Sequence, residues 1–138
     1  MRASRNNDEL SLPILSHPAF LGPLAISSQS GTSQGVLFGK INRAAGADIA
    51  IFPSYGGRFA VTEEDCKDIA TCLLTEDVNF AQAFPAPAGG MTVDRAPALM
   101  QFYGKDAVLL IGGDLHRHGK DLVSACKKFT EKVFCNLF

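Results

Sequence analysis

The chain has 138 residues, enough for one domain or part of one. Lys and Arg number 13 against 14 Asp and Glu, and the formal net charge is −1. With a pI near 6.3 there is no basic footprint, so nucleic acid is not an expected partner. Hydrophobic residues make up 46% and the mean hydropathy is +0.10, a globular composition. No run of 18 apolar residues occurs, so no membrane span is expected. The opening stretch from Met1 to Asp8 lacks an apolar segment of the secretory type. A cytoplasmic location is the expectation. Cys66, Cys72, Cys126 and Cys135 show no CxxC spacing and read as buried, reduced thiols.

Leu12 to Ser16 is a short apolar run ending at His17-Pro18, and reads as a strand. Ser27 to Gly35 is polar and reads as a loop. Val36, Leu37, Ile41, Ala44 and Ala45 have helical spacing, with Gly46 as the residue just past the end. Ala47 to Phe52 reads as a buried strand, closed by Pro53. A glycine-bearing loop, Pro53 to Arg58, follows. Thr62 starts a helix to about Leu74, with Asp65 three residues on and Glu63 and Glu64 at the positive dipole end.

Ala83 to Ala88 is the next strand and leads into Gly89-Gly90. A helix from about Val93 to Tyr103 has Gly104 past its end. Ala107 to Ile111 is a strand leading into Gly112-Gly113. The last helix spans about Lys120 to Phe134, burying Leu122, Val123, Cys126, Phe129 and Val133. This β-α alternation implies right-handed crossovers and a parallel sheet. Four such units make half of an eight-stranded barrel. A half-barrel has open edges and an apolar face meant to be covered, so a piece rather than a finished domain is expected. The runner-up is a small doubly wound sheet.

The two Gly-Gly turns carry the chemistry of the sequence. Glycine after a buried parallel strand lets a ligand approach the backbone N–H groups. Next to helix amino ends, such turns suit a phosphate, and barrels of this class place that site after the seventh and eighth strands. Gly89, Gly90, Gly112 and Gly113 are the candidate phosphate ligands.

FPAPAGGMTVDRAPALMQFYG followed by DAVLLIGGDLHRHG resembles the seventh and eighth βα units of the RuBisCO large-chain superfamily. The match is closer to the RuBisCO-like (type IV) proteins than to true carboxylases. LSHPAFLG resembles the fifth-strand segment, and LFGKINRAAGADIAIFPSYGGRF the helix, sixth strand and following loop. The resemblance covers about Asp8 to Val133. It implies an α/β fold: the C-terminal half of a TIM (β/α)8 barrel, four parallel strands (about strands 5 to 8) alternating with helices. It implies a homodimeric, Mg2+-dependent enzyme acting on a phosphorylated sugar or sugar-acid through an enediolate. Carboxylation, decarboxylation, enolisation and isomerisation are all compatible.

The resemblance also marks departures. The GxDFxKxDE-type metal segment of the family is absent, so no Mg2+ ligand is expected in this chain. Met1 falls inside the family's preceding helix, so a truncated, split or wrongly started gene is the expectation. His17 matches a substrate-contacting histidine at the end of the fifth strand, but the arginine that follows it in carboxylases is Pro18 here. Arg58 lies where carboxylases carry a mobile-loop lysine, and no lysine occurs between Lys40 and Lys67. Arg58 is the candidate for a bidentate contact to phosphate or carboxylate. Asp114 stands where the family has a third glycine; a carboxylate there either points away or repels the ligand.

His116 and His118 form a metal pair without a third ligand and read as a surface turn, with Arg117 placed to neutralise an anion. Lys40, Asn42 and Arg43 read as a solvated helix face, and Asp48 as structural. The chain is expected to hold the phosphate-binding half of an enzyme and to be inactive alone. A non-catalytic phosphometabolite-binding module and a decaying gene remnant are the alternatives.

Overall fold

The computed structural model describes residues 1–7, 9, 11–19, 21–25, 31–117 and 121–135. A short helix α1 (Arg2–Arg5) precedes strand β1 (Leu15–Ser16) and helix α2 (Gly22–Ala25). A π-helical turn, Gly35–Lys40, runs on into helix α3 (Ile41–Ala44). Then come strand β2 (Ile49–Pro53), helix α4 (Glu63–Leu74) and strand β3 (Phe84–Ala88). A 3-10 turn, Val93–Arg95, leads into helix α5 (Ala96–Tyr103), followed by α6 (Gly113–Arg117) and α7 (Leu122–Phe134). The expected loop Ser27–Gly35 falls partly on residues outside the described set, and so do His118 and Lys120.

The sheet is parallel, in the order β1-β2-β3. Register pairs Leu15 with Ile49 and Ile49 with Phe84, so these three share one face. Ser16, Ala50, Phe52, Pro85 and Pro87 lie on the other face, which the helices cover. The core forms there: Ala50 and Phe52 pack with Leu37, Phe38, Ile69, Leu73, Leu99 and Tyr103. Burying each large side chain of this kind stabilises by about 1.5–3 kcal/mol. The opposite face is partly uncovered, with Leu15 46% and Phe84 47% exposed.

Several expected elements are present because their signals are local. Thr62 Oγ1 accepts from the Asp65 N–H at 3.1 Å, and the Asp65 carboxylate accepts from the Thr62 N–H at 3.1 Å. That reciprocal pair is a full capping box with aspartate in the glutamate position. Gly46 and Gly104 both have positive φ just past their helices, as placed by the sequence. Asp121 caps α7, accepting from the Val123 and Ser124 N–H groups.

Four expectations need correction. The expected fourth strand, Ala107–Ile111, is not a ladder strand; Val108 donates one hydrogen bond to the Pro85 carbonyl at 2.9 Å. Phe84 N–H and Ala88 C=O both point towards β2, so residues 85 and 87 face the outer edge of β3. Both are proline, so that edge accepts hydrogen bonds and donates none. Half of a regular ladder is thereby removed.

Second, α7 does not bury Leu122, Val123 or Cys126; only Ala125 is buried, with Phe129 and Val133 partly packed. The helix packs mainly on α5 and α6, and its Lys132 pairs with Asp94 in the 3-10 turn. Third, Asn42 and Arg43 are buried rather than solvated, while Lys40 is exposed. Asn42 joins Ser16 Oγ at 2.7 Å and the Phe38 carbonyl at 2.8 Å. Arg43 satisfies three carbonyls between α4 and β3. Fourth, only Cys66 of the four free cysteines is buried; Cys126 and Cys135 are exposed.

Candidate anion-binding site at the carboxyl ends of the strands

The site is built where two loops meet. Ser54, directly after β2, donates its N–H to the Ala88 carbonyl at 2.9 Å, and Arg58 donates its N–H to the Gly89 carbonyl at 2.9 Å. The loops therefore dock backbone on backbone. Gly57 makes this contact possible, since a Cβ there would lie 2.2 Å from the Gly89 oxygen. Gly89 has φ +91°, and a Cβ there would meet the Phe59 ring at 2.7 Å. The Arg58 guanidinium lies 5.0 Å over that same ring, so the residue covers the turn from outside.

A buried polar cluster holds the β2 loop from below. Ser54 Oγ and Tyr103 OH are 3.0 Å apart, and the Tyr55 N–H donates to Cys66 Sγ at 3.2 Å. Burial pushes both the Tyr103 phenol and the Cys66 thiol up, so both stay neutral. Arg95 closes the loop from the other side. It donates to the Tyr55 carbonyl at 3.0 Å and stacks 5.0 Å over the Tyr55 ring. Tyr55 in turn packs on Phe102 with centroids 4.8 Å apart.

The second glycine turn reaches the first through Asp114. Its carboxylate accepts from the Val93 N–H at 2.8 Å, where the helical stretch after Gly89-Gly90 begins. Arg117 lies 3.6 Å from the other carboxylate oxygen. Gly112 and Gly113 face open space, with nothing within 4 Å of a Cβ placed on either. Asp114 thus points onto the start of the helical stretch that follows the first turn.

The other sequence candidates are placed as follows. His17 is exposed just past β1, at the same end of the sheet but two strands from β3. Asp48 sits at the opposite end, before β2, paired with Arg5 and the Ile14 N–H. His116 lies in α6, and its expected partner His118 is outside the described residues. Among the described residues, no three His, Cys, Asp or Glu side chains converge as a metal site.

Sequence reasoning missed Ser54, Tyr55, Tyr103 and Arg95. Arg95 had a readable signal: a cation in the first turn of a helix opposes the helix dipole and so points to a partner elsewhere. The others are polar groups whose partners lie far along the chain.

Parallel strands alternating with helices, with a glycine-lined rim at the strand carboxyl ends, define part of a (β/α) barrel. No protein-family model matches the chain. It is 40% identical over 122 residues to ribulose bisphosphate carboxylase-like protein 1 of Rhodopseudomonas palustris, covering 88% of this chain and 32% of that protein. It is 36% identical over 129 residues to the 2,3-diketo-5-methylthiopentyl-1-phosphate enolase of Bacillus pumilus, covering 94% of this chain and 32% of that protein. The crystal structure of a rubisco-like protein from Alicyclobacillus acidocaldarius superposes with a TM-score of 0.86 at 31% identity, over 96% of this chain and 33% of that one. The chain belongs to the RuBisCO-like proteins of the RuBisCO large-chain superfamily, and its extent is consistent with the C-terminal part of their barrel. It spans about a third of the length of the curated relatives it matches. Among the described residues, no helix is long and apolar enough to cross a membrane.

Proposed function

We propose that this chain supplies the phosphate-binding part, about strands 5 to 8, of a RuBisCO-like barrel acting on a phosphorylated sugar or sugar-acid through an enediolate. The observation that carries it is the hydrogen bond from the Val93 N–H to Asp114, which joins the residue after Gly112-Gly113 to the helical stretch that follows Gly89-Gly90. Identity to a phosphate-ester enolase supports the substrate class. In this reading Gly89, Gly90, Gly112 and Gly113 offer backbone N–H groups to the phosphate. Arg58 supplies countercharge, and His17 contacts the body of the substrate. The whole protein works as a homodimer.

Family members of this kind use Mg2+ to stabilise enediolate charge. The described residues do not fit that ion, because no three acidic, His or Cys side chains converge. In this proposal its ligands come from the rest of the barrel, and the 138-residue chain alone does not turn over substrate.

The test is an NMR titration of the chain with inorganic phosphate. Shifts should concentrate at the amides of the four glycines and vanish in Gly112→Val. Gly112 is the informative position, because its Cβ meets open space and the fold tolerates it. Gly89→Val would strain a positive φ and strike Phe59, so a loss there would not separate binding from folding. Unchanged titration of Gly112→Val would sink the assignment.

A further inference from the structure

The helical stretch from Val93 to Tyr103 has no cap of its own. Thr92 holds the N-cap position with extended backbone, yet its side chain makes no capping hydrogen bond. A carboxylate 21 residues further along takes the role: Asp114 Oδ2 accepts from the Val93 N–H at 2.8 Å. Asp114 is only 9% exposed. Its second oxygen faces Arg117, whose side chain is 71% exposed and lies 3.6 Å away. The residue begins α6, immediately after the open Gly112-Gly113 turn.

The consequence follows from charge and space. The amino end of a helix carries about half a positive elementary charge, concentrated on its unpaired N–H groups. A carboxylate bonded to the first of them satisfies that donor and cancels that charge. A dianion seated beside the carboxylate meets like charge at short range, where repulsion is poorly screened.

We infer that Asp114 is a resident anion at the glycine rim: its carboxylate, held on the Val93 amide directly after the Gly112-Gly113 turn, sets the rim's affinity and charge preference. This rests on the reading of the rim as a phosphate site. Phosphate on the amides of Gly112 and Gly113 sits beside this carboxylate and binds weakly until its charge is removed. Arg117, in the turn that follows, is the cation that faces the carboxylate.

The experiment titrates the wild-type chain, Asp114→Asn and Asp114→Gly with inorganic phosphate at low ionic strength, following glycine amide shifts and thermal unfolding. Asp114→Asn keeps an acceptor for Val93 and removes the charge, which guards against loss of fold in the glycine variant. Both variants should bind phosphate about tenfold or more tightly than wild type. Phosphate should also restore the melting temperature lost in Asp114→Gly, while chloride at matched ionic strength should not. A purely structural cap would lower the melting temperature without that rescue. Variants that fold and bind phosphate no better than wild type overturn the inference and leave the rim reading standing. Absence of any phosphate shift at the glycine amides in all three chains overturns the rim reading, and the inference with it.

Discussion

The Arg43 guanidinium donates to the Cys72 carbonyl at 2.6 Å, in the last turn of α4. Its other nitrogens donate to the carbonyls of Phe80 at 2.9 Å and Ala81 at 3.1 Å, on the segment entering β3. One buried cation therefore closes a helix carboxyl end, where the dipole favours positive charge, and fixes the next crossover. The planar fork reaches three acceptors at once, which an ammonium cannot reproduce.

Arg43→Ala should destabilise the chain by about 2–4 kcal/mol, because buried carbonyls lose their donors. Arg43→Lys should recover less than half of that. Urea unfolding followed by far-UV circular dichroism measures both. A loss below about 1 kcal/mol for the alanine variant would show that these carbonyls find other donors.

Acid should weaken the start of β2. Burial pushes the Asp48 carboxyl up, but the Ile14 N–H and the Arg5 guanidinium together bring it below its ordinary value. A carboxyl lowered by folding contributes stability above its unfolded pKa, and that contribution is lost as pH falls through the folded value. The stability gap between wild type and Asp48→Asn should therefore be full near neutrality and shrink below about pH 4. Thermal unfolding across pH 3 to 7 checks this, and a gap that widened on acidification would contradict it. The pair is more than a third exposed, so the effect is modest.

The four thiols should separate by exposure. Cys126 in α7 and Cys135 just past its end are both exposed and should label fast with a thiol reagent at pH 8. Cys72 should follow more slowly, since burial and the nearby Asp68 carboxylate raise its pKa. Cys66 is fully buried, burial raises its pKa, and it should label only when the chain unfolds. Peptide mass spectrometry of a labelling time course gives the order. Cys66 reacting as fast as Cys126 would mean that the core between β2 and α4 opens readily.

The sequence by itself determined the elements whose causes are local. The capping box at Thr62 and Asp65 and the glycines ending α3 and α5 are set by residues a few positions apart, and the alternation of strands with helices is read from each segment by itself. The glycine turns were legible for the same reason, as was the family, because its motifs are contiguous.

Only the tertiary structure decided what each face meets. Helical spacing shows that Arg43 and Val123 each lie on some face, not which face is covered. Arg43 is buried because α4 and the crossover into β3 close over it, whereas Val123 is 65% exposed on the side of α7 turned away from its contacts with α5 and α6. Ala107–Ile111 has a strand's composition, but it lies beside an edge whose two facing residues are prolines. Asp114 is the sharpest case. A carboxylate after a glycine turn reads as one that either points away from a phosphate or repels it. The fold brings it within 2.8 Å of a helix amide 21 residues earlier, where the uncapped dipole makes a negative charge favourable.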